Sequence, residues 1–127
     1  MLFLEFDDVK AMHVVLINRY GGSHGTRDEK LLESAINQAR SGFAGTFLHE
    51  DVYHMAAAYL YHIVKNHPFV DGNKRTAAAA AITFLKINDA DVLISEHKLF
   101  KLAIEIATSK ITKEQIALFF RKHVKMH

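Results

Sequence analysis

The chain has 127 residues, half of them hydrophobic and 24% charged, a balance that excludes a disordered chain and suits one domain over residues 1–127. A domain of this length buries roughly two-thirds of its unfolded surface, so a core can form without covalent staples. The absence of cysteine excludes disulfides, thiolate metal centres and cysteine nucleophiles, and a net charge of +2 is too mild to mark a nucleic-acid footprint.

In chain order, Asp7 or Asp8 is placed to cap a first helix whose apolar positions Val9, Met12, Val15 and Leu16 follow helical spacing. Gly21-Gly22 stops it after Arg19-Tyr20. Thr26-Arg27-Asp28-Glu29 has capping-box spacing, which predicts a second helix through Leu31, Leu32, Ala35 and Ile36. Ser41 to Phe47 has two glycines and two phenylalanines but no helical period, and reads as a loop or a short extended flap. Helical spacing resumes near Asp51, through Met55, Ala58, Tyr59, His62 and Ile63, and must stop before Pro68.

An alanine-rich helix follows from about Asn73 to Ile87 and is expected to be the central, buried one. Asn88 to Asp91 reads as a turn and Val92-Leu93-Ile94 as extended. Ser95 caps a helix through Leu99, Leu102, Ala103 and Ile106, and the capping box Thr112-Lys113-Glu114-Gln115 opens a last one with Ile116, Phe119 and Phe120 inward. The expected fold is all-α: one bundle of about six helices with a short flap. Met1 to Leu4 runs straight into Glu5, Asp7 and Asp8 without a signal-peptide pattern, and the longest apolar run, Ala77 to Leu85, is too short for a membrane span. A cytoplasmic protein is the expectation.

The densest chemistry lies in His67-Pro68-Phe69-Val70-Asp71-Gly72-Asn73-Lys74-Arg75. Proline ends one helix and Gly72 permits a tight turn into the next, whose first amides have no intrahelical acceptor and sit at the positive end of the dipole. Such a helix start is an anion site, and Lys74 and Arg75 add two cations to it. Asp71 sets a carboxylate where magnesium bridging phosphate oxygens would need one. Histidine is the common side chain that titrates near neutral pH, so a histidine at 67 can take a proton from an incoming hydroxyl. These are the parts of a phosphoryl-type transfer site, in which positioning and charge neutralisation dominate. The same residues also read as a helix stop, a turn at Asp71-Gly72 and a cap at Asn73.

His-Pro-Phe-Val-Asp-Gly-Asn-Lys-Arg resembles the signature loop of the Fic/Doc superfamily. Asn18-Arg19-Tyr20-Gly21-Gly22, Arg27-Asp28 with the following Leu-Leu-Glu-Ser-Ala, and Lys65-Asn66 are similar to its death-on-curing (Doc) branch. The resemblance implies that His67 activates a target hydroxyl and that Asp71 binds magnesium. It gives Gly72 and Asn73 the backbone and side-chain parts of an anion hole, and Arg75 a distal phosphate. Phe69 is implied to tuck under the loop so that His67 points outward. Adenylylating relatives carry glycine at the position of Lys74 and a second arginine at that of Ala78. The Doc branch shares the lysine, and its resemblance implies a toxin that passes the γ-phosphate of ATP to a threonine of elongation factor Tu and arrests translation. The alternatives are a Fic-type adenylyltransferase and a binding module without turnover.

The flap acquires a role in this resemblance, as a segment that pairs with the target backbone. The self-inhibitory Ser/Thr-x-x-x-Glu-Gly/Asn motif of some relatives is absent, which implies inhibition in trans by a small antitoxin whose C-terminal segment folds on binding, in a groove lined by the first helices. DNA contacts are expected from that partner, not from this chain. Outside the loop, His49-Glu50 and His54 lack zincin spacing, and the basic group Arg121, Lys122 and Lys125 reads as a solvated helix face. His62 reads as a packed helix residue, Tyr53, Tyr59 and Tyr61 as core and shoulder positions, and His123 and His127 as parts of a frayed tail.

Overall fold

Six α-helices form among the described residues: α1 (Phe6–Tyr20), α2 (Glu29–Ala39), α3 (Val52–Asn66), α4 (Asn73–Ile87), α5 (Glu96–Ala107) and α6 (Lys113–His123). The computed structural model describes residues 1–43, 46–47 and 51–127, with backbone alone at 42–43 and 46–47. The all-α reading and the six helices hold. So does the flap, where β1 (Gly42–Phe43) pairs antiparallel with β2 (Thr46–Phe47). None of the helices is long and apolar enough to cross a membrane among the described residues.

Local chemistry sets most boundaries, with two adjustments. The cap of α1 is Glu5, whose side chain accepts from the amide of Asp8 while the Asp8 carboxylate accepts from the Glu5 amide at 2.8 Å; Asp8 is thus the third helical residue, not the cap. The cap of α2 is Asp28, accepting from Leu31 N–H at 3.0 Å, because the backbone of Thr26 is committed to a bridge with Phe69. Asp51, Ser95 and Thr112 cap α3, α5 and α6, the last with its reciprocal Gln115 bond.

The inward face of α1 also differs from the expectation. Val9, His13 and Ile17 are buried, whereas Met12 and Leu16 are half-buried and Val15 is 62% exposed. One stripe packs on the interior; the other lines an open groove. Likewise α3, not α4, is the central helix. It touches α2, α4, α5 and α6, and Met55 to Leu60 are all buried. Alanines let α3 and α4 approach closely, and large side chains fill the remaining space: Tyr59 and Phe84 are both fully buried with rings 5.1 Å apart. The Tyr59 hydroxyl accepts from Leu4 N–H at 3.0 Å, and burial pushes its pKa up to about 12.

The C-terminal residues are not frayed. After α6, β4 (Val124–Met126) pairs antiparallel with β3 (Ala90–Val92), which starts earlier than the extended run expected at Val92. His127 reaches the Asp91 carboxylate at 2.6 Å, and His123 bonds the Phe119 carbonyl at 2.9 Å. Two short strands thereby tie α6 back to the end of α4.

Candidate active site

At the end of α3, His67 takes the left-handed conformation (φ 49°, ψ 54°), where few non-glycine residues rest unaided. Arg27 holds it there. Its Nε donates to the His67 carbonyl at 2.8 Å and its Nη2 to the Asn66 carbonyl at 3.0 Å, satisfying the open end of α3. The Pro68 carbonyl accepts from the amides of Arg27 and Asp28, and Val70 N–H donates to Gly25 at 3.0 Å. Residues 25–28 therefore run beside the loop like an added strand. The His67 side chain is left exposed.

Beneath the loop, Phe69 is 1% exposed and Asn73 is 5% exposed. The Asn73 side chain accepts from Phe69 N–H at 2.9 Å and donates to the Phe69 carbonyl at 3.0 Å. Its amide thus braces the turn from inside, while its backbone N–H belongs to the first turn of α4. His13, from α1, stacks on Phe69 with centroids 3.9 Å apart and bonds the Asp71 carbonyl at 2.7 Å.

Above the loop lies a cleft of about 230 Å³, lined by His67, Asp71, Gly72, Asn73, Lys74 and Arg75 together with Tyr20 and Phe100. The Asp71 carboxylate accepts from Ser23 N–H at 3.1 Å and from Gly72 N–H at 2.8 Å. Those two donors, the Ser23 one foremost, hold its carboxyl below the ordinary range, so it is ionised at neutral pH. Gly22 makes room for it: a Cβ there would stand 2.6 Å from Oδ2. Gly72, at φ 75°, turns into α4 without a side-chain cap, which leaves the helix start facing the cleft with amides to spare. The Arg75 guanidinium lies 4.1 Å from the Tyr20 ring centroid and 4.7 Å from that of Phe100. Two aromatic faces fix its plane, and its donor fork is unspent among the described residues.

All six loop residues proposed from sequence therefore line one cleft. Asp71 fits a magnesium ion of the kind that takes one carboxylate and completes its shell with phosphate oxygens and water. A protein-only cage is not offered, since no cluster of three or more metal-ligating side chains forms among the described residues. Sequence reasoning missed His13, the Gly22-Ser23 clasp on Asp71, and Phe100. For His13 a signal existed, because it falls four residues from both Val9 and Ile17 on the buried face. His49 and Glu50 lie outside the described residues. His54 is bonded on both sides, Nδ1 to Asp51 at 2.9 Å and Nε2 to Glu114 at 3.0 Å, which leaves it no nitrogen for a metal. His62 is half-buried, 3.0 Å from Lys113 Nζ.

The sequence profile of the Fic/DOC family matches residues 3–85, which contain the whole loop, the first three helices and most of α4. The chain is 38% identical over 104 residues to a protein of Mycolicibacterium smegmatis named Toxin Doc, covering 77% of each chain. It is 32% identical over 116 residues to the Protein kinase doc of Escherichia phage P1, covering 91% of this chain and 90% of that one.

Proposed function

This chain belongs to the Fic/DOC family, in its death-on-curing branch, and from that premise we propose that it is a toxin with protein kinase activity. In this reading it transfers the γ-phosphate of ATP to a protein hydroxyl, a threonine of elongation factor Tu, and so arrests translation. One observation carries the proposal: an exposed histidine, an ionised carboxylate, an uncapped helix start and a stacked arginine converge on a single cleft.

His67 takes the proton of the target hydroxyl as that oxygen bonds to the γ-phosphorus and the bond to the β-phosphate breaks. The amides opening α4, with Lys74 and Arg75, hold the phosphates. Asp71 would hold magnesium, which when bound neutralises phosphate charge. The α4 surface supports γ- over α-phosphate transfer. Ala78, 5% exposed beside a hollow of only about 30 Å³, stands where adenylylating relatives carry a second arginine, so this chain offers no second guanidinium there.

A partner is also proposed, an antitoxin segment laid into the groove between α1 and α4. That groove has a volume of about 530 Å³ and is lined by Met12, Val15, Leu16, Ala79 and Ile87 among others. Such an apolar channel suits an amphipathic segment that folds on binding. Leu16 lines both the groove and the cleft, so an occupant of one abuts the other.

The test uses purified protein, magnesium, elongation factor Tu and ATP labelled at the α- or γ-phosphate, with His67→Ala as control. Label passing from the γ-position alone, and falling about a hundred- to ten-thousand-fold in the variant, is the expected result. Transfer from the α-position would make the protein an adenylyltransferase and overturn the kinase reading. Binding without transfer from either position would make it a binding module.

A further inference from the structure

Histidine 13 is one of three polar side chains buried among the described residues, at 2% exposure. Its ring lies nearly parallel to that of Phe69, with 6° between the two planes. Its Nε2 lies 2.7 Å from the Asp71 carbonyl oxygen, which can only accept, so that nitrogen carries the proton. A Cβ placed on Gly72 would sit 3.7 Å from the Cδ2 and Nε2 atoms of the same imidazole. One side chain of α1 therefore supports Phe69, Asp71 and Gly72 from below, while Asp71 and Gly72 present their other side to the cleft.

The peptide joining Asp71 to Gly72 is pinned at both edges. Its carbonyl accepts from His13, and its N–H donates to the Asp71 carboxylate at 2.8 Å. If the carbonyl edge were released, the plane could rotate and the N–H would no longer aim at Oδ1. The carboxylate would keep only its bond from Ser23. Simple packing does not account for this arrangement, because an apolar residue of the same size would stack on Phe69 equally well and leave a carbonyl without its donor.

We propose that His13 is a positioning residue of this site, fixing the Asp71–Gly72 peptide so that the Asp71 carboxylate and the α4 amides hold their places in the cleft. Turnover as a readout rests on the phosphotransfer reading above; the geometric claim does not. Two variants separate the ring from the donor. His13→Phe keeps the stack on Phe69 and removes the donor; His13→Gln keeps a donor at the reach of Nε2 and removes the ring.

The experiment measures amide hydrogen exchange at Gly72 by NMR, calorimetric binding of manganese with ATP, and kcat and KM for phosphotransfer in the wild type and both variants. In His13→Phe, Gly72 exchange should quicken at least about tenfold, with amides of the α3–α4 core unchanged. Metal binding and kcat should each fall about 10- to 100-fold, the usual size of an outer-shell effect, with KM for the protein target near the wild-type value. His13→Gln should return Gly72 exchange and metal affinity most of the way to wild type. Should His13→Phe not fold, the comparison of His13→Gln with wild type decides.

Wild-type exchange and metal affinity in a folded His13→Phe would overturn the proposal. So would a His13→Gln variant with quickened Gly72 exchange, since the ring and not the bond would then hold the loop. A wild-type protein that transfers no phosphate would defeat the proposed function alone. Exchange at Gly72 and metal affinity would still decide the role of His13.

Discussion

Truncating Asn73 to alanine should unfold the loop at 67–75 before it affects any ligand. Its side chain makes two buried bonds, to the N–H of Phe69 at 2.9 Å and to the carbonyl of Phe69 at 3.0 Å, in surroundings where Asn73 is 5% and Phe69 1% exposed. Alanine offers neither group, so two buried backbone groups lose their partners at about 1–3 kcal/mol each. The better helix propensity of alanine returns at most about 0.7 kcal/mol. The net loss is about 1–5 kcal/mol. A domain of 127 residues shifts its Tm by about 3–5 °C per kcal/mol, so the expected fall is about 3–25 °C. Thermal and urea melts followed by circular dichroism measure it, with Lys74→Ala, at the half-buried cleft wall, expected to stay within about 2 °C of wild type. A folded Asn73→Ala with the wild-type Tm and a loss confined to nucleotide binding would refute the reasoning. The amide would then serve the cleft, as the family resemblance implies, and not the turn.

Three further outcomes are expected. Gly22→Ala places a Cβ 2.6 Å from the Asp71 carboxylate at φ 114°, so it should cost about 1–3 kcal/mol in a urea melt and raise the magnesium concentration for half-maximal activity; an unchanged magnesium requirement would remove Gly22 from the site. Arg75→Lys keeps the charge but not the plane between Tyr20 and Phe100, so nucleotide affinity by calorimetry should fall about 5- to 30-fold, the equivalent of about 1–2 kcal/mol. At His54, burial opposes charging, but the bonds to Asp51 and Glu114 outweigh it and raise the pKa above 6.5. The stabilisation is therefore complete below the unfolded-state pKa and fades as pH rises through the higher folded-state value. Tm should decline from pH 6 towards pH 8 in wild type and flatten in His54→Gln; equal slopes would show that this triad contributes nothing.

Short-range chemistry was legible in the sequence wherever a residue and its consequence lie within a turn of each other. Ser95 and Thr112 cap their helices because an oxygen meets an amide three residues on. Pro68 and Gly72 bound the loop because their own backbones allow little else or unusually much. Six of the site residues lie in one stretch of chain, so their convergence on a cleft followed from that loop. Misreadings arose where two segments compete for one group. Thr26 has capping-box spacing, yet its backbone pairs with Phe69, and Asp28 takes over the cap. The residues beyond α6 carry no strong signal of their own, and they are ordered by β3 across the molecule.

By itself, then, the sequence determined the helices, the turn into α4, the identity of the loop and the chemistry its side chains can perform. The tertiary structure decided which way that loop faces and what holds it. Arg27 caps α3 from 40 positions away, Ser23 reaches Asp71 across 48, and His13 reaches the same residue across 58. Periodicity reports how a side chain stands on its own helix, and a capping box reports a bond closed within one turn. Neither carries the rotation of α1 about its axis, which buries His13 under the loop at 67–75 and leaves Val15 open to the groove. That rotation is set by packing against α4 and the loop, a sum over contacts that no local stretch of sequence contains.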